Sequence, residues 1–303
     1  MSHIFDALRR SEAERSGTEA SAFSVATELL QAAEQKMQTQ AEERLDSPRQ
    51  DYLTSFEHCP TLPVRIRPES RLISVAKDDS LAAEKFRFLA VRLRQLRQNR
   101  PLQKVLITST IPQEGKSTVS TNLACTLARR KQHKTLLLEG DLRRPTIAGQ
   151  FGLSDHPGLS EWLHGETENA NVYQLEGLGL WLLPAGRAPQ NPLELMQSGK
   201  LPSLMNALSA WFDWIVIDSP PVLPLADTSV WARQADGILL VTRKGITQEQ
   251  QLQRGLGALE QSKLLGALIN DSSDAAHSDY YQRYSSPSSP PGNIPVEGVV
   301  DSK

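Results

Sequence analysis

Cysteine is scarce: only Cys59 and Cys125 occur in 303 residues, without C-x-x-C spacing or a neighbouring histidine cluster. That argues against a disulfide scaffold and against a structural zinc site. Long apolar runs are missing too, and no window approaches the roughly 18–20 residues needed to span a bilayer. The opening MSHIFDALRR holds no apolar core and no small-residue cleavage site, so a secretory leader is not expected. An excess of one charge is also lacking. Lys and Arg number 33 against 35 Asp and Glu, a net charge of −2, so no global basic field calls for nucleic acid. These absences predict a soluble, reduced, cytoplasmic chain that reaches a membrane only through a partner. The composition that remains, 39% hydrophobic and 22% charged, is that of an ordinary globular protein with a less ordered portion.

The length predicts about two domains, and the composition changes along the chain. The first 70 residues carry twelve acidic and eight basic side chains and nothing that reads as a strand. Ile4, Phe5 and Leu8 mark one short amphipathic turn, and Leu30, Ala33, Met37, Ala41 and Leu45 a helical stripe. Prolines then break the periodicity over residues 47–70, which read as a linker. Residues 1–75 are thus expected to be a polar arm and linker, either unstructured or a docking arm that folds on a partner. From residue 80 the pattern is different. Phe86, Leu89, Leu93 and Leu96 line one helical seam, after which apolar runs at 104–110, 134–139, 180–185, 214–219, 237–242 and 264–270 alternate with helical stretches. Those runs do not alternate polar with apolar, so both faces should be buried. The expected fold is α/β, a doubly wound and mostly parallel sheet of about 200 residues spanning 76–271. Residues 272–303 are rich in Ser and Pro and read as a flexible tail.

The chemistry lies in three strand ends. The first predicted strand leads into Thr110-Ile111-Pro112-Gln113-Glu114-Gly115-Lys116-Ser117-Thr118, after which a helix opens. Strand, loop and helix in that order make a P-loop, whose backbone N–H groups cradle phosphate. Lys116 would neutralise the β/γ-phosphates of a nucleotide and Ser117 would ligate Mg²⁺. The loop departs from G-x-x-x-x-G-K-[ST] in having Thr110 at the first glycine position. A second strand ends Leu136-Leu137-Leu138-Glu139-Gly140-Asp141-Leu142-Arg143, and a third Ile215-Val216-Ile217-Asp218-Ser219-Pro220-Pro221. Strand C-termini of an open parallel sheet converge on one crevice. Glu139, Asp141 and Asp218 should gather there, a hard oxygen set suited to Mg²⁺.

This motif set resembles the bacterial tyrosine kinases of capsule and exopolysaccharide systems. Residues 109–118 are similar to their Walker A loop, 136–143 to their Walker A′ motif and 215–221 to their Walker B motif. Pro157-Gly158-Leu159-Ser160, Leu183-Pro184-Ala185-Gly186 with Asn191-Pro192, and Ala226-Asp227 extend the likeness over roughly 75–285. Two departures stand out: Glu139 replaces the first Asp of A′, and Ala90 replaces the last Arg of an oligomerisation motif that begins at Glu84 and Arg87.

The resemblance implies ATP and Mg²⁺ as cofactors and a MinD/ParA-like P-loop fold. It implies Lys116, Asp141, Asp218 and Arg143 as the catalytic set, with Asp141 accepting the phenol proton and Arg143 bracing the motif or an adjoining subunit. Ser117, Glu139 and Asp218 become the metal ligands. Tyr280, Tyr281 and Tyr284, three of the five tyrosines, become targets of autophosphorylation by a neighbouring subunit. Partners implied are a membrane polysaccharide co-polymerase with an activating cytosolic tail, a cognate tyrosine phosphatase and further copies of the chain. Two other readings stay open. A positioning ATPase shares the fold, although Ile111 stands where that group carries an extra lysine. A weakly catalytic nucleotide-binding scaffold is compatible with Glu139 and Ala90.

Overall fold

The computed structural model describes Phe56, residues 59–66, 71–76 and 80–270, all within a unit that begins at Tyr52. Eight strands form one sheet: β1 (Thr61–Leu62), β2 (Lys104–Ser109), β3 (Thr135–Glu139), β4 (Tyr173–Leu175), β5 (Leu180–Leu183), β6 (Trp214–Asp218), β7 (Gly237–Arg243) and β8 (Leu264–Asn270). Their order is β1-β4-β5-β3-β6-β2-β7-β8. From β5 to β8 every neighbour is parallel; β4 runs antiparallel to β5, and β1 parallel to β4. The helices are α1 (Ile73–Ala76), α2 (Leu81–Asn99), α3 (Lys116–Ala128), α4 (Ile147–Gln150), α5 (Leu159–His164), α6 (Pro192–Met196), α7 (Lys200–Trp211), α8 (Asp227–Gln234) and α9 (Glu249–Gly257).

The unbroken apolar runs have their expected cause. Successive strand side chains point to opposite faces, and both faces are covered. Leu106, Leu136, Leu138, Ile215, Ile217, Ile238 and Leu240 enter a core shared with α5, α7 and α8. Their neighbours Val105, Ile107, Leu137, Val216, Leu239 and Val241 enter a second core against α2, α3 and α4. Helix α2 starts where Ser80 accepts the N–H of Ala83 at 3.2 Å, with Glu84 in its first turn and Arg97 in its last, both favourable to the helix dipole. Of its predicted seam only Leu93 is fully buried, joined by Ala83 and Ala90; Phe86, Leu89 and Leu96 are half-buried.

The linker reading of residues 47–70 needs correction at Phe56 and residues 59–66, the part of it that is described, and so does the domain boundary at 75–76. Thr61 and Leu62 pair with Gln174 and Leu175 at the sheet edge, Arg65 donates its N–H to the Phe151 carbonyl, and Phe56 is buried edge-on against Trp211 and Phe212. Leu72 is buried as well, while Asn122 of α3 bonds both Ser74 and the Arg71 carbonyl. Prolines suit an edge strand that pairs on one side only, so the break in periodicity marked an edge and not an exit. Strand β4 was not anticipated because three residues carry too little pattern. The amphipathic stretches near Ile4 and Leu30 lie outside the described residues. Among the described residues no helix is long and apolar enough to cross a membrane.

Candidate active site

Strands β3, β6 and β2 lie side by side, with Glu139 opposite Asp218 and Asp218 opposite Ile107. The A, A′ and B segments therefore leave adjacent strands at the same end of the sheet. Gly115, at φ +91°, turns the chain into α3, and no side chain caps the helix. The first N–H groups of α3 are thus open to an anion, and the helix dipole favours one there. A Cβ on Gly115 would lie 2.1 Å from Asn270 Nδ2, so any side chain there would displace Asn270 as well as strain the left-handed backbone. Gln113 also sits in the left-handed region, at φ +68°.

Lys116 lies 2.9 Å from Asp141 Oδ2 and 3.6 Å from Asp218 Oδ2. Burial alone would lower its pKa, but Asp218 and Asp141 overcome that and hold it above the ordinary lysine value. Asp218 accepts the Ser117 hydroxyl at 2.7 Å and the Ser120 hydroxyl at 3.0 Å. Burial still pushes its carboxyl above the usual range, against the pull of Lys116 and Ser117. Asp141 Oδ1 accepts the N–H of Arg144 at 3.1 Å. Lys116, Ser117, Asp141 and Asp218 are therefore brought together as the sequence predicts. The loop side chains behave differently: Pro112 and Gln113 are exposed, Glu114 folds inward, and Thr110 is buried with its hydroxyl unpartnered.

Glu139 and Arg143, on the same segment, bond to the frame around the site. Glu139, expected to ligate metal, is fully buried and spends both oxygens on main-chain N–H groups: Thr146 and Ile147 on one, Ala148 (3.4 Å) and Ala185 (3.1 Å) on the other. A carboxylate has about four lone-pair sites, and these four donors occupy them. Its extra methylene carries the carboxylate into the frame, where it joins the start of α4 to the loop after β5. Burial pushes its pKa up, opposed by the N–H groups of Ile147 and Ala185. Arg143 grips Asp227 with two nitrogens, at 2.6 and 3.0 Å, in keeping with the bracing role expected of it. That bond raises its pKa further and ties the A′ segment to α8.

Trp231 is a residue the sequence reading missed. Its Nε1 donates to the Gly140 carbonyl at 3.0 Å, while Gly140 donates its N–H to the Asp218 carbonyl at 2.7 Å. A Cβ on Gly140 would meet the indole at 2.7 Å. The glycine between Glu139 and Asp141 was the available signal, but its cause lies 91 residues away. The glycines at 158 and 186 have a similar basis. Leu159 and Ser160 donate to the carbonyls of Pro184 and Ala185, and the buried Glu161 accepts the N–H groups of Gly158 and Arg187. Asn270 donates to the Glu114 carbonyl at 2.9 Å. Tyr280, Tyr281 and Tyr284 lie outside the described residues.

An uncapped helix N-terminus, a lysine held between two carboxylates and a doubly wound sheet together define a P-loop protein built to bind nucleotide phosphate. No family model matches the chain. It is 34% identical over 217 residues to tyrosine-protein kinase YwqD of Bacillus subtilis, covering 71% of this chain and 91% of that one. Among solved structures it resembles the chimerical protein CapA2B2, at 29% identity and TM-score 0.63, covering 71% and 95% of the two chains. It also resembles the kinase domain of the Escherichia coli tyrosine kinase ETK, at 29% identity and TM-score 0.61, covering 68% and 82%. The chain belongs to the bacterial tyrosine kinase family.

Proposed function

We propose that this chain is an ATP-dependent protein-tyrosine autokinase that regulates polymerisation and export of an exopolysaccharide. The observation that carries the reading is Lys116, poised between Asp141 and Asp218 at the open start of α3. The N–H groups of that turn and the ammonium bind the phosphate oxygens of ATP. The donor set fits Mg²⁺: the Ser117 hydroxyl and Asp218 carboxylate stand together, and this ion takes its remaining ligands from water and phosphate. Among the described residues no group of three or more acidic, His or Cys side chains could hold a metal by itself. When bound, Mg²⁺ screens the charge of the phosphates.

Lys116 turns from Asp141 to the phosphates, which frees that carboxylate to accept the phenol proton of an incoming tyrosine. The phenol oxygen bonds to the γ-phosphorus, the bond from that phosphorus to the β–γ bridging oxygen breaks, and ADP departs. Positioning and charge do most of the work in such transfers. Arg143 acts through Asp227 by holding the A′ turn. Tyr280, Tyr281 and Tyr284 of a neighbouring copy are the acceptors, and a phosphatase reverses the modification. The exposed Phe88 and Val91 beside the Glu84–Arg87 pair support self-association through α2. Ala90, by contrast, is buried within this chain. The likeness to a chimerical protein supports association with a second polypeptide, which we take to be the cytosolic tail of a membrane co-polymerase that activates the kinase.

The test is intact mass and peptide mapping after Mg²⁺-ATP, with and without that tail. Phosphate on Tyr280, Tyr281 or Tyr284 is expected, lost in Lys116→Met while the fold persists. Label that survives Lys116→Met overturns the site. ADP release without label favours a positioning ATPase, and nucleotide retention with neither product favours a scaffold.

A further inference from the structure

A wholly buried carboxylate stands inside the loop that would receive a triphosphate. Glu114 is 0% exposed, and among the described residues no cation pairs with it. One oxygen accepts the N–H of Ile111 at 2.8 Å within the loop. The other accepts the hydroxyl of Thr247, in the turn between β7 and α9. Two more contacts reach the loop from the same part of the chain. Asn270, ending β8, donates to the Glu114 carbonyl and fills the space over Gly115. Gly255 is the buried residue of α9, and a Cβ there would meet Thr110 at 3.1 Å. A buried negative charge works against phosphate binding, so its place in this loop calls for a compensating role.

We infer that Glu114 is a positioning residue: through Thr247 its carboxylate clamps the phosphate loop to the C-terminal β7–α9–β8 unit, and Asn270 completes the clamp from the strand end that continues into residues 271–303. The inference rests on the reading that residues 110–118 hold the phosphates of ATP. It assigns Glu114 no contact with nucleotide. The side chain shapes the amide cradle, and it does so at an electrostatic disadvantage.

Charge and geometry can be separated in the full-length chain. Glu114→Gln keeps an acceptor for Ile111 and a polar partner for Thr247 while removing the charge; Glu114→Ala removes both. Thr247→Ser keeps the hydroxyl and Thr247→Val deletes it. Binding of Mg²⁺-ATP is measured by calorimetry, KM and kcat by phosphorylation, and folding by thermal melting. Glu114→Ala and Thr247→Val are expected to raise Kd and KM about tenfold or more, with kcat within about threefold. Glu114→Gln and Thr247→Ser should stay within about threefold of the parent or bind more tightly. Should Glu114→Ala fail to fold, the Thr247→Val and Thr247→Ser pair decides alone. Equal affinity in those two overturns the clamp, as does a Glu114→Gln as weak as Glu114→Ala. A parent chain that binds no Mg²⁺-ATP overturns the kinase reading instead.

Discussion

Replacing Glu139 by Gln separates a structural carboxylate from a metal ligand. In the parent, four main-chain N–H groups converge on its two oxygens. The Gln oxygen can still accept from Thr146 and Ile147, but its NH₂ then faces the donors of Ala185 and Ala148. The bond from Ala148 is long at 3.4 Å and its loss is minor. The N–H of Ala185 is left buried without an acceptor, which costs about 1–3 kcal/mol, and the two surviving bonds each weaken by about 1 kcal/mol once the charge is gone. Relief of a buried charge, whose pKa burial already raises and which lies near Asp218, offsets part of this loss. The net loss is about 2 kcal/mol, which for a domain of this size lowers Tm by roughly 4–8 °C. Urea denaturation and thermal melting of the metal-free protein read this directly. Unchanged stability together with a sharply raised Mg²⁺ requirement would refute the reasoning and restore Glu139 as a ligand.

Other expectations follow from the same contacts. Phe56→Ala removes a buried ring from between Trp211 and Phe212 and should destabilise the domain by about 3 kcal/mol in urea; an effect under about 0.5 kcal/mol would return residue 56 to a linker. Gly140→Ala drives a methyl into Trp231 and the Asp218 carbonyl, so it should lower both kcat and Tm, and wild-type kinetics would dismiss the Trp231 support. Cys125 is fully buried, and burial pushes its thiol up to about 12 from 9.0. A raised folded-state pKa leaves stability intact below pH 9 and removes it as pH climbs toward 12. At pH 10.5 the parent should therefore have lost about 2 kcal/mol relative to Cys125→Ala, compared with their difference at pH 8. A pH-independent difference would contradict it.

How much was legible in the sequence depended on how far apart the partners lie. The phosphate loop could be read because its parts are contiguous: a strand end, a turn and the first helical residues are consecutive in the chain, and hydrogen-bond geometry makes them a site wherever they occur. The central strands were legible for a related reason. A strand buried on both faces must be apolar at every position, and Val105–Ile107 and Ile215–Ile217 are. Short strands escaped notice, since β1 has two residues and β4 three; their pairing is decided by the neighbours they find and not by their own pattern.

Side-chain assignments divided the same way. Lys116, Ser117, Asp141 and Asp218 sit at strand or helix ends whose directions the parallel sheet prescribes, so composition and topology sufficed to bring them together. Glu139 and Arg143 share that segment and bond to the frame; bracing was expected of Arg143, but its partner, 84 residues away, could not be named from the sequence, and neither could the N–H donors around Glu139. Trp231 over Gly140 and Thr247 on Glu114 are likewise pairings between distant parts of the chain. Consecutive residues specify which groups leave the strand ends, because local backbone geometry carries that information. Which of those groups stay open to nucleotide was decided only by tertiary packing, because a buried donor or charge takes whatever partner the folded chain places within reach.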